Sequence, residues 1–424
     1  MRISSSSETV ELLTELDLSS PQFYGTGDPH PMWTHLRERC PVHWQEPRAG
    51  KPGFWVVTRY ADVSRVLAGH RHFSAARGNI LTTLGRADIA GGKMLAVTDP
   101  PRHTRLKAPL APHLSRAAVR AYEPRLRELA QRVLAPGVRR GHWDFAERVS
   151  RYPIAIAGLL LGIAESDWER LKHYTYAAIA ESDPRYRDAG TSAESVLGRA
   201  HSEIFLQLTR EVTRPARAEA DDLIGAFLRS AADGAMTREE VLLNAYSLLI
   251  GATVTTSHVA SAGLLALLEQ PAEYARWQAG GNTATAVEEM LRWSSPANHA
   301  MRHTTGDVRL GEATVGAGDP VTAWLGSANR DAAVFAEPFR FAVSRHPNRH
   351  IAFGVGAHRC VGAHLARLAL TVLFEEFAAR VARVELAGEP RHLHSTFIAG
   401  VTHLPIRTVA RPGVLAATVG EDVW

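Results

Sequence analysis

The run from Thr237 to about Glu269 constrains this chain more than any other stretch. Thr237 and Glu240 form a capping-box pattern, in which side chains satisfy free amides at a helix start. The spacing predicts a helix onward to about Glu269, roughly 50 Å long at 1.5 Å per residue and able to cross a whole domain. Its middle is odd. Gly251-Ala252-Thr253-Val254-Thr255-Thr256 combines a glycine with β-branched residues. These are poor helix formers, so local helix strength is not what selects them. By themselves they also fit close helix packing in a core.

The rest of the chain is organised around that helix. Periodicity from Pro100 to Gln270 is mostly helical, with breaks expected at Pro136-Gly137, Gly141 and Asp183-Pro184. Short strands are expected at Val42 to Gln45 and Gly53 to Val57, and a β-rich stretch from Met301 to Trp324. No linker separates two self-sufficient halves. The expectation is one mainly α domain with a small β subregion over residues 21–410, a loose N-terminus over 1–20 and a tail over 411–424. Hydrophobic residues at 45% and charged residues at 22% permit a large core.

Other classes are disfavoured. Two distant cysteines, Cys40 and Cys360, offer no disulfide framework, which fits a reducing compartment. The formal charge of +4 comes without a long Lys/Arg run, so nucleic acid is not an expected partner. The N-terminus lacks a long apolar segment, and Pro153 to Ala164 is too short to span a bilayer. A cytoplasmic protein without a membrane partner is expected.

Chemistry concentrates in the segment FGVGAHRCVG, Phe353 to Gly362, ahead of an amphipathic run from Val361 to Arg380. A Cys360 thiolate there would sit beside free helix amides, which favour negative charge and lower a thiol pKa. Gly354, Gly356 and Gly362 remove side chains where a flat group would approach the backbone. A lone cysteine in such a place reads as a buried, inert residue. The whole segment reads differently. It resembles the haem-binding loop of the cytochrome P-450 family, the haem-thiolate monooxygenases, and matches Phe-Gly-x-Gly-x-His-x-Cys-x-Gly at every fixed position.

The resemblance covers nearly the whole chain and is to the soluble bacterial type. It implies a triangular prism with haem b (iron protoporphyrin IX) between the long central helix and the cysteine-loop helix. Cys360 would be the iron ligand, with Phe353 and Gly362 beside the cofactor. Gly251 and Ala252 match the small pair that leaves room for dioxygen. Thr255 matches the threonine whose hydroxyl helps deliver protons. Val254 stands where the family has Asp or Glu, and a valine carries no exchangeable proton. Asn244, Ser247 and His258 are candidate replacements, each also readable as a packing or surface residue.

Glu289 and Arg292 share one helix face at i and i+3. With Arg345 they resemble the family's structural Glu-Arg-Arg network. The resemblance assigns the haem propionates to His103, Arg302 and His358, and puts Lys107 where an arginine is usual. Lys107 lacks the bidentate fork of that arginine. No flavin, nicotinamide or iron–sulfur fingerprint is present, so electrons must come from a ferredoxin or flavodoxin with its reductase. Arg102, Arg105, Lys107, Arg359 and Arg367 form the expected docking face.

By the same analogy the substrate pocket draws on the loop from Gly78 to Met94, on Tyr246, Ser247 and Leu248, on Ala297, Asn298, His299 and Ala300, and on Phe397 and Ile398. Asn298 and His299 are polar where many relatives are apolar, which suggests a small-molecule substrate with hydrogen-bonding groups. The expected reaction is oxygen insertion into a natural-product intermediate. The alternatives are oxidative C–C or C–N coupling without oxygen insertion, and a non-catalytic haem-binding partner protein.

Overall fold

The computed structural model of the chain describes residues 17–48 and 50–413. The expected loose N-terminus and tail lie outside the described residues at 1–16 and 414–424, while Leu18 and Ser19 are buried. The site is built by helices α1 (Arg102–Lys107), α2 (Glu123–Arg140), α3 (Arg151–Leu161), α4 (Arg238–Val254), α5 (Thr256–Glu269), α6 (Thr283–Ser294) and α7 (Ala363–Arg380).

The capping box forms as the sequence predicts: Glu240 N–H donates to Thr237 Oγ1 at 3.1 Å, and Thr237 N–H to Glu240 Oε2 at 2.7 Å. The single long helix does not. It divides into α4 and α5 at Thr255. The reason lies in the threonines, whose hydroxyls compete for helix carbonyls. Thr253 Oγ1 donates to Leu249 O at 2.7 Å and Thr255 Oγ1 to Gly251 O at 3.3 Å. This run, Arg238–Glu269, also corrects the apolar-stretch expectation. It is long and apolar enough to cross a membrane, but 61% of its most apolar window is buried inside the protein.

A second correction concerns Pro136. No break occurs at Pro136-Gly137. α2 runs through to Gly141, whose φ of 73° supplies the left-handed cap. Gly137 is held against Trp143, whose ring lies 2.3 Å from where a Cβ would stand.

α7 buries Leu370, Leu373, Phe374 and Phe377 against α2 and α6, each large apolar side chain contributing about 1.5–3 kcal/mol. α3 packs on α4, and α6 on α5. One apolar cluster extends from Leu95 to Ile406 through all these helices. Beside it lies a five-stranded sheet of β1 (Val42–Gln45), β2 (Phe54–Val57), β3 (Phe73–Ser74), β4 (His299–Thr304) and β5 (Pro320–Trp324), in the order β1-β2-β5-β4-β3. Only β2 and β5 pair parallel, in the register Trp55 to Val321. Parallel strands need a long crossover, and here the helical body supplies it.

Candidate active site

A cavity of about 380 Å³ separates the Gly251–Thr255 stretch from the cysteine loop and the start of α7. Gly251, Ala252 and Thr255 line one side; Phe353, His358, Cys360 and Gly362 line the other. A Cβ on Gly251 would meet no atom within 4 Å, so this glycine widens the space and does not serve helix packing.

The cysteine loop is shaped by its backbone. Gly354 and Gly356 have φ of 66° and 77°, and a Cβ on Gly356 would lie 2.6 Å from Ala68 Cα. Gly356 is therefore required by backbone conformation and by packing on Ala68, while Gly354 lines the cavity with only His358 O within 4 Å of where a Cβ would stand. Cys360 N–H donates to Phe353 O at 2.9 Å. The Cys360 thiol is exposed, but to the cavity wall. Burial raises its pKa, outweighing the Gly362 amide and the cations Arg359, Arg367 and Lys107. The Gly362 amide does lower it, as expected, but desolvation of the thiolate is the larger effect and the net direction is upward.

At one edge of the cavity, two imidazoles and a guanidinium gather near a single carboxylate. His103 and Arg302 are buried, and the His103 ring centroid lies 4.6 Å from that of His358. Asp99 accepts hydrogen bonds from Ser74 and the Ala75 amide, and lies 3.7 Å from His358 Nε2. That nitrogen has no hydrogen-bond partner among the described residues. Arg302 Nη1 donates to Met301 O at 2.8 Å, and no salt-bridge partner reaches it among the described residues. Burial lowers His103 to about 4 and Arg302 to about 10. A buried guanidinium without a carboxylate calls for an anion. A flat cofactor with a thiolate-ligated metal and two carboxylates fits this set. Lys107 stands farther back, with Nζ 3.5 Å from Ala357 O, and does not line the cavity.

Several expected site residues are placed elsewhere. Val254 is buried in an apolar cluster with Ile179, Ala180, Leu393 and Ile398, because its helix position points away from the cavity. Ile398 belongs to the same cluster. Met94 gives way to Leu95 and Ala96, which a short 3₁₀ turn, Leu95–Val97, brings to the wall. Asn298 lines a separate groove with Trp33 and Arg330. Tyr246 Oη is hydrogen-bonded with His201 Nε2 at 3.0 Å and is not in the wall. Ser247, Leu248, Ala297, His299, Ala300 and Phe397 do line the cavity as expected, as does Asn79 of the loop from Gly78 to Met94.

Of the candidate proton sources, Asn244 caps loop segments, accepting from Leu95 N–H and donating to Lys93 O. His258 packs on Tyr176 with Nδ1 3.1 Å from Val401 O, outside the cavity. Ser247 alone faces inward.

Glu289, Arg292 and Arg345 come together, with Glu289–Arg292 at 2.7 Å and Glu289–Arg345 at 3.1 Å. Glu289 and Arg292 are fully buried, and Glu289 also accepts from the Ala342 amide. The sequence reading passed over the neighbouring residue. Glu288 binds Arg367 and His350, and the Arg367 guanidinium lies over Phe353. The expected docking face combines, among the described residues, paired and unpaired cations. Arg367 is held by Glu288, and Arg102 by Glu240 and Ala235 O, while Arg105 and Arg359 stay exposed.

Comparison with known proteins gives a consistent result. A family model described as Cytochrome P450 matches residues 283–380. Cytochrome P450 NovI of Streptomyces niveus is 33% identical over 399 residues, covering 93% of this chain and 97% of that protein. Linalool 8-monooxygenase of Pseudomonas putida is 30% identical over 417 residues, covering 93% and 99%. The crystal structure of P450 OxyD, involved in the biosynthesis of vancomycin-type antibiotics, superposes with a TM-score of 0.83 at 34% identity, over 93% of this chain and 100% of that one.

Proposed function

We propose that this chain, which belongs to the cytochrome P450 family, inserts oxygen into a mainly apolar natural-product intermediate. It is a haem-binding oxidoreductase of the monooxygenase type. The observation that carries the reading is the cavity itself, with Cys360 on one side and Gly251, Ala252 and Thr255 on the other. OxyD, involved in the biosynthesis of vancomycin-type antibiotics by its description, supports a secondary-metabolite substrate.

Bound haem supplies the iron at which dioxygen is reduced. Cys360 would hold that iron; His103, Arg302 and His358 would hold the propionates. Gly251 and Ala252 would leave room for a small ligand on their side of the cavity. Thr255 Oγ1, whose bond to Gly251 O is long at 3.3 Å, can hold or pass a proton at the cavity face. Val254 passes none. The substrate wall is apolar at Leu95, Leu248, Ala297, Ala300 and Phe397, with Asn79, Ser247 and Thr255 as its polar points. A largely apolar substrate suits it, with its few hydrogen-bonding groups met by Asn79, Ser247 and Thr255 and not by Asn298 and His299.

Electrons would come from a ferredoxin or flavodoxin with its reductase, docking near the exposed Arg105 and Arg359. The cytoplasm is the matching compartment, since neither cysteine is paired in a disulfide.

The test is a reduced, CO-bound spectrum, expected to show the red-shifted Soret band of thiolate ligation, followed by turnover under isotopically labelled dioxygen. Product carrying the label supports oxygen insertion. A second reading, oxidative coupling without oxygen insertion, draws on Val254. Unlabelled product with the mass of two joined fragments less two hydrogens would favour it.

A further inference from the structure

Three segments distant in sequence meet at His299: the loop 78–97, strand β4 and the hairpin segment 393–400. His299 is 0% exposed, and both ring nitrogens are in use. Leu81 N–H donates to Nε2 at 3.0 Å, and Nδ1 lies 3.1 Å from Thr396 O. A backbone N–H only donates and a carbonyl only accepts, so the proton sits on Nδ1 and Nε2 is bare. Burial holds the ring down at about 4, so it stays neutral and this arrangement persists at physiological pH.

Other bonds tie each flank separately to β4 or to the residue just before it. Met301 N–H donates to Asn79 O at 2.7 Å on the loop side, and Asn298 N–H to Phe397 O at 2.8 Å on the hairpin side. Among the described residues, His299 is the one side chain hydrogen-bonded to both loop and hairpin. Its ring packs 5.0 Å from Trp324 and 5.9 Å, edge to face, from Phe397, and it forms part of the cavity wall.

We propose that His299 is a positioning residue that fastens the loop and hairpin walls of the substrate cavity to each other, and so governs which ligands are admitted and how long they stay. This rests on the reading that substrate occupies the cavity between Thr255 and Cys360. It also explains why a polar residue stands here in a mainly apolar wall: its polar atoms are taken up by protein backbone and not by a substrate.

The test compares holoenzyme carrying His299→Phe or His299→Gln with the parent. Phenylalanine keeps an aromatic ring and removes both bonds; glutamine keeps one donor and one acceptor. Amide hydrogen exchange is followed in 78–97 and 393–400, and 4-phenylimidazole association is followed by the Soret shift. His299→Phe is expected to raise exchange in both segments together and to speed azole association by about tenfold, because it leaves a buried amide unpaired. His299→Gln is expected to return both readouts toward the parent.

Leu81→Pro removes the donor from the other side. Leu81 opens a 3₁₀ turn after the extended Ile80, a position that suits proline. It should raise exchange in 78–97 alone and speed azole association, and it covers the case in which His299→Phe does not fold. Unchanged exchange in every variant, or a glutamine variant no better than phenylalanine, overturns the proposal. The parent's reduced CO band reports separately on haem ligation. Its loss sinks the haem reading, whereas an intact band with unmoved exchange sinks only the role of His299.

Discussion

Glu288 grips Arg367 through two parallel contacts, at 2.6 and 2.9 Å. The same guanidinium lies 4.5 Å from the ring centroid of Phe353, so one carboxylate on α6 reaches the cysteine loop through α7. Glu288→Gln should therefore loosen the loop, with a stability cost of only about 1 kcal/mol because the pair is partly exposed. The measurable sign is a larger fraction of the reduced CO complex without the thiolate band. An unchanged band ratio would sink this link.

The same pair carries a pH dependence. Burial alone would raise Glu288, but hydrogen bonds from His350 and Arg367 outweigh it and hold the carboxyl at about 2, against an ordinary 4.5. A depressed acid contributes stability above its unfolded pKa and loses it as pH falls through the folded one. Denaturant midpoints of the parent should fall faster than those of Glu288→Gln between pH about 4.5 and 2. Parallel curves would refute the assignment.

Val254→Glu puts the family's usual acid in place, but into the apolar cluster of Ile179, Ala180, Leu393 and Ile398. A carboxyl there should cost roughly 2–4 kcal/mol. We expect a lower denaturant midpoint and no gain in product per dioxygen consumed. A stable variant with better coupling would show that the position faces the reaction after all.

Thr255→Ala should leave stability nearly unchanged, since the hydroxyl's one intrahelical bond is long at 3.3 Å. Turnover should fall by about two orders of magnitude if the hydroxyl handles protons. Dioxygen consumption that continues while product is lost is the diagnostic pattern.

Arg302→Met should act with opposite sign on the two forms. Without cofactor, it removes a buried cation that lacks a carboxylate, so the apoprotein should be no less stable, and may be compared directly by melting. With cofactor, loss of a charge-assisted contact should speed haem transfer to an apo-globin acceptor by roughly tenfold or more. Unaltered haem loss would remove Arg302 from the propionate set.

What was legible in the sequence was local. The Thr237 and Glu240 cap closes within one turn, and the strand boundaries around Met301 and Trp324 follow short-range punctuation. The pattern from Phe353 to Gly362 carries its own backbone demands, such as the positive φ of Gly354 and Gly356. Those features need only neighbours in the chain, so residue types and spacing suffice to place them.

The direction in which side chains point was decided by tertiary structure. Val254 and Thr255 are adjacent, yet one joins an apolar cluster and the other faces the cavity, as the helix face packed against Ile179 and Leu393 requires. Arg367 looked free for a partner until α6 supplied Glu288. His299 looked like a substrate contact, but its nitrogens are claimed by Leu81 and Thr396, 218 and 97 residues away in sequence. A buried polar atom takes whatever partner the fold delivers, because leaving it unpaired costs more than any local preference can return. The sequence thus determined the pattern of the cysteine loop and the run that faces it across the cavity, and long-range packing determined which polar residues remain available for chemistry.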